Sequence, residues 1–180
     1  MKRLLGLAFV AAIVAGTANA GERVGDFALI DHQGAIQHMA WYNDHSAVVI
    51  MPMTNSQDDA ASLKALQEIY AEQGVQFFLL NPGLHSDRAL IQSQVTALGL
   101  DLPVLMDDAQ LVTELLGVSR LDEAVLYDPN SFELLYRGPI DGMEASLKEA
   151  LAGENFEMVS VASNAPAIEF SNLDAHANLS

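Results

Sequence analysis

Two runs of consecutive apolar residues constrain the fold of this chain more than any other feature of its sequence. Ala47 to Met51 has no polar side chain, and Val75 to Leu80 has only one. Such runs are typical of strands that are covered on both faces. Between the runs, Leu63, Leu66 and Ile69 recur at helical spacing. A strand, a helix and a second strand in this order predict a parallel βαβ unit inside a layered α/β domain.

The segments around this unit predict a mixed sheet. Asp128-Pro129-Asn130 is a turn between two apolar stretches, which indicates an antiparallel hairpin close to the end of the domain. The other predicted elements are a hairpin at 27–39, a helix from Ser86-Asp87, an extended segment at 103–106, a helix opened by Asp107-Asp108, strands at 124–127 and 134–137, and a helix at 143–151. We therefore expect an α/β sandwich, with a central mixed sheet flanked by helices and an N-terminal β-hairpin.

The first twenty residues have the features of a secretory signal peptide. Lys2 and Arg3 precede an apolar run at 4–15 that is too short to span a bilayer, and Ala18-Asn19-Ala20 fits a cleavage site. We expect cleavage after Ala20 and a periplasmic or secreted product. The alternative is an N-terminal helix that is buried or anchored in a membrane. The expected organisation is a signal peptide at 1–20, one domain at 21–153, and a polar C-terminal extension at 154–180 that is partly disordered.

The charge of the chain excludes several classes of partner. It has 24 Asp and Glu residues against 8 Lys and Arg, a net charge of -16, which cleavage after Ala20 would change to -18. Nucleic acid and anionic lipid both require basic surface, so we expect neither as a partner. A basic protein is the partner that this charge favours. The sequence does not indicate the oligomeric state.

The sequence also contains no cysteine. Disulfide bonds, cysteine–zinc sites, iron–sulfur clusters and every thiol mechanism are therefore excluded for these residues. In an oxidising compartment, stabilising disulfides would have been available to the chain, and it uses none.

Several local strings, in this order and spacing, resemble a known family. They are Val24-Gly25-Asp26-Phe27 before Asp31-His32-Gln33-Gly34, Pro103-Val104-Leu105-Met106, and Leu126-Tyr127-Asp128-Pro129 leading to Tyr136-Arg137-Gly138-Pro139-Ile140-Asp141. Together they resemble the thioredoxin-like redoxin family, which includes peroxiredoxins and thiol–disulfide oxidoreductases. The resemblance covers roughly 24–153. It implies a thioredoxin-like three-layer sandwich and thiol–disulfide or peroxide chemistry.

The chain departs from that family where the family carries its chemistry. The resemblance places Ser56, within one residue, at the nucleophilic cysteine, and Asp59 at the second cysteine of a C-x-x-C pair. It places Asp122 at a cis-proline that pairs with the substrate backbone, and we expect a trans peptide there because a non-proline cis bond costs roughly 3–4 kcal/mol. A serine and two carboxylates cannot carry out thiol exchange. We therefore expect a cysteine-less member without catalytic residues or cofactor, whose groove near these three positions binds a protein partner.

Three other kinds of site are compatible with residues of this chain. Met51, Met53 and a loop His85 offer thioether and imidazole ligands that suit copper, although core packing is the simpler interpretation of the methionines. The pairs Asp58-Asp59 and Asp107-Asp108 could bind a hard cation or act as acid and base, but both precede predicted helices, where aspartate acts as a cap. Ser56 as a nucleophile lacks a motif that supplies its base.

These alternatives leave open two functions besides binding. One is a redoxin-derived enzyme or copper carrier in a periplasmic oxidoreductase pathway, which has kept the role of the family with different ligands. The other is a packing subunit of a larger periplasmic assembly. We expect the non-catalytic binding or accessory role.

Overall fold

The computed structural model describes residues 22–83, 86–153 and 157–171. The predicted signal peptide and His85 lie outside these ranges, as do residues 172–180, on which most of the predicted disorder falls. Within the described ranges, no helix combines the length and the apolar character that crossing a membrane requires.

A central mixed sheet and a separate hairpin contain all the strands of the described residues. The strands are β1 (Glu22–Arg23), β2 (Ala28–Ile30), β3 (Ile36–His38), β4 (Ala47–Pro52), β5 (Val75–Asn81), β6 (Val104–Met106), β7 (Glu123–Asp128), β8 (Glu133–Pro139) and β9 (Val159–Ser160). The sheet has the order β1-β8-β7-β4-β5-β6, with β9 on β8, and β2 pairs with β3 as the hairpin. β4, β5 and β6 are parallel, whereas β7 is antiparallel to β4 and to β8. The predicted mixed sheet and N-terminal hairpin are confirmed.

In the part of the chain that the structure describes, four α-helices cover the sheet. They are α1 (Gln57–Tyr70), α2 (Arg88–Ala97), α3 (Leu111–Leu115) and α4 (Glu144–Ala152), and short 3-10 turns occupy Met39–Tyr42, Ala71–Gln73 and Ile140–Gly142. Helix α1 connects β4 to β5 and forms the predicted parallel βαβ unit. Gly74 stops this connection because it adopts φ 84°, a left-handed conformation that a side chain disfavours.

The two faces of β4 belong to two different hydrophobic clusters. Val49 and Met51 face one cluster, which includes Leu63 of α1 and Leu147 of α4. Val48, in the same strand, faces a second cluster formed with the hairpin and α3. Every residue of β4 is buried, as the uninterrupted apolar run predicts. The strand is therefore fixed from both sides, and so is the position of the loop that follows it.

One predicted helix begins later than the sequence indicates, and the C-terminal extension makes contacts that the sequence does not predict. Helix α3 begins at Leu111 rather than at Asp107-Asp108, and Gln110 before it adopts a left-handed conformation with φ 58°. Asp107 lies outside the helix but still stabilises its first turn, because its carboxylate accepts hydrogen bonds of 2.7 Å from the Thr113 backbone N–H and hydroxyl. In the C-terminal extension, β9 pairs with β8, and residues 161–168 make further backbone hydrogen bonds to the domain.

Candidate functional site at the carboxyl end of β4

The start of α1 is a self-contained network of hydrogen bonds. The Ser56 hydroxyl accepts a hydrogen bond of 3.2 Å from the Asp59 backbone N–H, as the N-cap of the helix. The Thr54 hydroxyl donates to the Asp59 carboxylate at 3.3 Å and accepts from the Ser56 backbone N–H at 2.9 Å. Ser56 thus serves as the N-cap of α1, and its oxygen contacts the helix backbone rather than a catalytic base.

Asp122 lies at the same edge of the sheet as Ser56. β7 runs antiparallel to β4, so the start of β7, which Asp122 directly precedes, lies at the carboxyl end of β4. The peptide bond preceding Asp122 is trans, as expected. The contacts of Asp122 are different from those of Asp59, because its carboxylate accepts a hydrogen bond from the Ser163 hydroxyl of the C-terminal extension.

A buried carboxylate that sequence reasoning missed shapes the loop before β7. Glu123 is 9% exposed, and one of its carboxylate oxygens accepts hydrogen bonds from the Ser119 backbone N–H (2.7 Å), the Ser119 hydroxyl (3.1 Å) and the Arg120 backbone N–H (3.0 Å). Hydrogen bonds to a charged acceptor are among the stronger ones in proteins. Glu123 therefore fixes the conformation of residues 119–122, and its burial beside a turn is not evident from a sequence pattern.

The C-terminal extension runs along this loop. We call residues 161–171 the C-terminal strap. The Leu121 backbone N–H donates to the Pro166 carbonyl at 3.1 Å, and the Ile168 backbone N–H donates to the Ser119 carbonyl at 2.8 Å. Between these two bonds, Arg120 and Ala167 form an antiparallel bridge. The strap thus pairs with the backbone next to Asp122, a contact that the sequence did not predict.

The far end of the strap is held by Gln110, which is 4% exposed. Its side-chain nitrogen donates to the Pro82 carbonyl at 2.9 Å and to the Glu169 carbonyl at 2.8 Å. Its side-chain oxygen accepts from the backbone N–H of Ser171 at 2.7 Å and from the hydroxyl of that residue at 3.0 Å. The buried amide therefore connects the loop after β5 to the strap, and both its oxygen and its nitrogen are satisfied.

The electrostatics of this region are acidic. Burial raises the pKa of Tyr136, and the negative charges of Asp122 and Asp141 raise it further. Its hydroxyl donates to the Pro139 carbonyl at 2.7 Å. A buried tyrosine next to two carboxylates stays protonated at physiological pH, so it adds no charge to the site.

Of the candidate copper ligands, the structure describes the two methionines and not His85, so the copper site stays a prediction. Met51 is fully buried in the cluster beneath α1, and Met53 packs against the same cluster, while His85 is outside the described ranges. In those ranges no group of three or more His, Asp or Glu side chains could hold a metal ion. The packing of both methionines agrees with the simpler interpretation, that they fill the core.

The described histidines have partners away from Ser56. His32 contacts Gln92 and the Val104 backbone N–H, His38 contacts Asp26, and His45 contacts Asp44. Each of these contacts lies outside the loop between β4 and α1. The structure therefore brings together Ser56 and Asp59 by direct contact, and Asp122 by strand register.

Comparison with known proteins identifies the fold. No family model matches the chain, and no curated protein matches it either. Among solved structures, a hypothetical protein from Sinorhizobium meliloti superposes with a TM-score of 0.66 at 24% identity, covering 84% of this chain and 94% of that one. The peroxidoxin BcpB of Mycobacterium tuberculosis gives 0.56 at 21% identity, covering 74% and 94%. The exposed lipoprotein thioredoxin Etrx1 of Streptococcus pneumoniae gives 0.53 at 24% identity, covering 69% and 99%.

These matches define the fold of the chain. The chain has the thioredoxin-like fold that thioredoxins and peroxiredoxins share, as the local strings imply. It has this fold without any cysteine. The site at the carboxyl end of β4 consists instead of a capping serine and carboxylates.

Proposed function

We propose that this chain is an exported, non-catalytic thioredoxin-like protein that acts by binding another protein at the carboxyl end of β4. The observation that carries this proposal is that Ser56 acts as a helix cap in place of a nucleophile. Its hydroxyl caps α1 by accepting a hydrogen bond from the Asp59 backbone N–H, and the residues of this sequence supply no thiol. The helix terminus, which would activate a nucleophile, is engaged in holding the loop.

Charge supports the choice of partner. Asp59 and Asp122 lie at this edge of the sheet, and the whole chain carries a formal charge of -16. A cleft lined by one sign of charge accelerates encounter with a partner of the opposite sign, and the effect weakens as salt increases. We therefore propose a basic protein segment as the partner class.

A paired-variant capture experiment tests this site. The protein, immobilised, is compared with the variant Asp59→Asn/Asp122→Asn, in which both side chains keep their size and lose their charge. The matched control is Glu68→Gln/Glu72→Gln, which removes the same charge from exposed positions at the far end of α1. We expect the site variant to capture at least about threefold less of a specific basic protein, with a weaker dependence on salt. Equal capture by all three proteins would refute the site.

Activity assays test the non-catalytic part of the proposal. Insulin reduction and peroxide consumption should equal the buffer blank at any protein concentration, because no residue of the sequence can cycle between thiol and disulfide. Activity above the blank without added metal would show that the rival function, an enzyme with different ligands, is correct.

Export is tested separately by the mass of the product. The features of residues 1–20 favour cleavage after Ala20. In a Gram-negative host, we expect a periplasmic protein that begins at Gly21. A cytoplasmic product that retains Met1 to Ala20 would contradict export. The binding site is tested independently of export, because capture is measured on the chain that begins at Gly21.

A further inference from the structure

The C-terminal strap is bound mainly through its backbone. Its bonds to the 119–122 loop join the Leu121 N–H to the Pro166 carbonyl and the Ile168 N–H to the Ser119 carbonyl. Gln110 adds bonds to the carbonyl of Glu169 and to the N–H of Ser171. These backbone groups are present in any extended polypeptide, so this part of the recognition does not depend on the strap sequence.

A single apolar side chain anchors the strap between these bonds. Ile168 is 7% exposed and packs in the cluster that includes Val112, Leu116 and Val118. The neighbouring Ala167, Glu169 and Phe170 are all exposed. We call the surface under the strap, formed by residues 110–121, the groove. It binds the backbone of the strap and one apolar side chain, which is the pattern of a peptide-binding groove.

The groove itself is built to meet such a ligand. Gln110 is buried with a backbone φ of 58°, a conformation that is unusual for a residue other than glycine. If the strap left, the side-chain oxygen of Gln110 and one of its N–H groups would lose their protein partners and be opened to water. Another extended segment offers the same backbone carbonyl and N–H groups, so it can bind Gln110 in place of the strap.

We propose that the C-terminal strap is a displaceable intramolecular ligand, and that its groove takes an extended segment of the partner protein with an apolar residue at the Ile168 position. This inference rests on the proposed function, because the groove continues the same site through Asp122 and Ser163. The tether gives the strap a high effective concentration, so the strap keeps the groove closed against weak ligands. A partner that also contacts the acidic edge gains affinity that the strap lacks.

A synthetic peptide of residues 161–171 with a fluorescent label is the probe, and anisotropy is the measurement. The variant Ile168→Asp places a carboxylate where the strap is buried, which should release the strap while leaving the groove intact. We expect this variant to bind the peptide at least tenfold more tightly than the unaltered protein does. The matched control Phe170→Asp changes an apolar residue that is 38% exposed in the same strap, and it should bind like the unaltered protein. A peptide carrying the Ile168→Asp change should bind to none of them.

A disulfide lock decides the question independently if Ile168→Asp fails to fold. Arg120 and Ala167 form a bridge flanked by the two backbone bonds, the antiparallel geometry with closely spaced Cα atoms that accommodates a disulfide. Because the chain has no other cysteine, Arg120→Cys/Ala167→Cys can form only this intramolecular bridge. We expect the reduced form to bind the peptide at least tenfold more tightly than the oxidised form. Two results would overturn the proposal. One is equal binding of the peptide by the oxidised and reduced forms, and the other is binding by both forms that is as weak as their binding of the peptide with the Ile168→Asp change.

The lock also separates this inference from the proposed function. If a basic partner is captured equally by the oxidised and reduced forms, the strap does not control the site, although the site itself stands. If the peptide binds only to the released groove and the Asp59→Asn/Asp122→Asn variant captures partners normally, the strap inference stands and the acidic site fails.

Discussion

The carboxylate of Asp31 offers the sharpest test of how this fold is held together. Asp31 follows β2 in the hairpin turn and is 2% exposed. It accepts hydrogen bonds from the backbone N–H groups of Gln33 and Ala35, both at 2.9 Å, and from the Gln37 side chain at 2.8 Å. The side-chain oxygen of Gln37 accepts a hydrogen bond from the hydroxyl of Tyr42, so the Asp31 carboxylate orients both the Gln37 amide and the Tyr42 hydroxyl. We consider the substitution Asp31→Asn, which keeps the shape and removes the charge.

The expected loss follows from these bonds. A hydrogen bond to a charged group contributes about 1.5–3 kcal/mol, and one to a neutral group contributes about 0.5–1.5 kcal/mol. The substitution therefore costs about 1 kcal/mol for each of the three bonds, and a rotation of the Gln37 amide recovers part of the last one. We expect Asp31→Asn to lower the free energy of unfolding by about 2–3 kcal/mol at pH 7.

The pH dependence of this loss has a definite sign. Burial raises the pKa of Asp31, but hydrogen bonds from Gln37, Ala35 and Gln33, with the nearby His32, lower it more, so that it lies below the usual 3.8. A carboxyl whose pKa is lower in the folded state stabilises the protein above its unfolded pKa, and this stabilisation is lost as the pH falls through the folded value. The difference in the free energy of unfolding between the unaltered protein and Asp31→Asn should therefore be constant from pH 7 to about pH 5 and become smaller below about pH 4.

Urea unfolding followed by far-ultraviolet circular dichroism measures both quantities. The unaltered protein, Asp31→Asn and the control Asp101→Asn are compared at pH 7, 5 and 3. Asp101 is exposed, so its change should stay within about 0.5 kcal/mol. The reasoning is refuted if Asp31→Asn loses less than about 0.5 kcal/mol at pH 7, or if its deficit is as large at pH 3 as at pH 7.

Three further substitutions test other parts of the structure, each by the same urea titration at pH 7. Ser56→Ala removes the N-cap of α1 and should cost about 1 kcal/mol, while Ser56→Asp should retain most of the stability. Gly117→Ala should cost about 1–2 kcal/mol, because the residue has a left-handed φ of 63° and the end of the Arg137 side chain, 2.4 Å from where a Cβ would lie, must move. Tyr127→Phe should cost about 1 kcal/mol, since it removes a hydroxyl that donates to a backbone carbonyl at 3.0 Å. A neutral result for any one of them would contradict the contact concerned.

The sheet and the helices it carries were predictable because their causes are local. The apolar run of β4 needs two covered faces, and the structure covers both. Ser56 and Asp87 cap α1 and α2, and each side chain accepts a hydrogen bond from the first turn of its helix. Periodicity and capping concern residues at most a few positions apart, so a single sequence contains the information that they require.

The strap could not be predicted because its stabilising contacts are neither local nor periodic. Residues 161–171 read as a polar tail, since most of their bonds are made by the backbone, which every sequence shares. Gln110 lies about 60 positions away from Ser171 and was assigned to the beginning of a helix. The clearest indication in the sequence is Ile168, a large apolar residue two positions after Pro166 that is soon followed by Phe170. Such a residue suggests an anchor without indicating where it binds.

The carboxylates at the start of β7 connect the strap to the acidic site. Glu123 accepts hydrogen bonds from the Ser119 and Arg120 N–H groups and so fixes the loop. In this conformation, the Ser119 carbonyl and the Leu121 N–H bind the strap. Asp122 accepts from Ser163 in the strap itself. A basic group that binds Asp122 would compete with the Ser163 hydroxyl for the same carboxylate. Binding at the acidic edge and release of the strap would then favour each other, because each removes a contact that opposes the other.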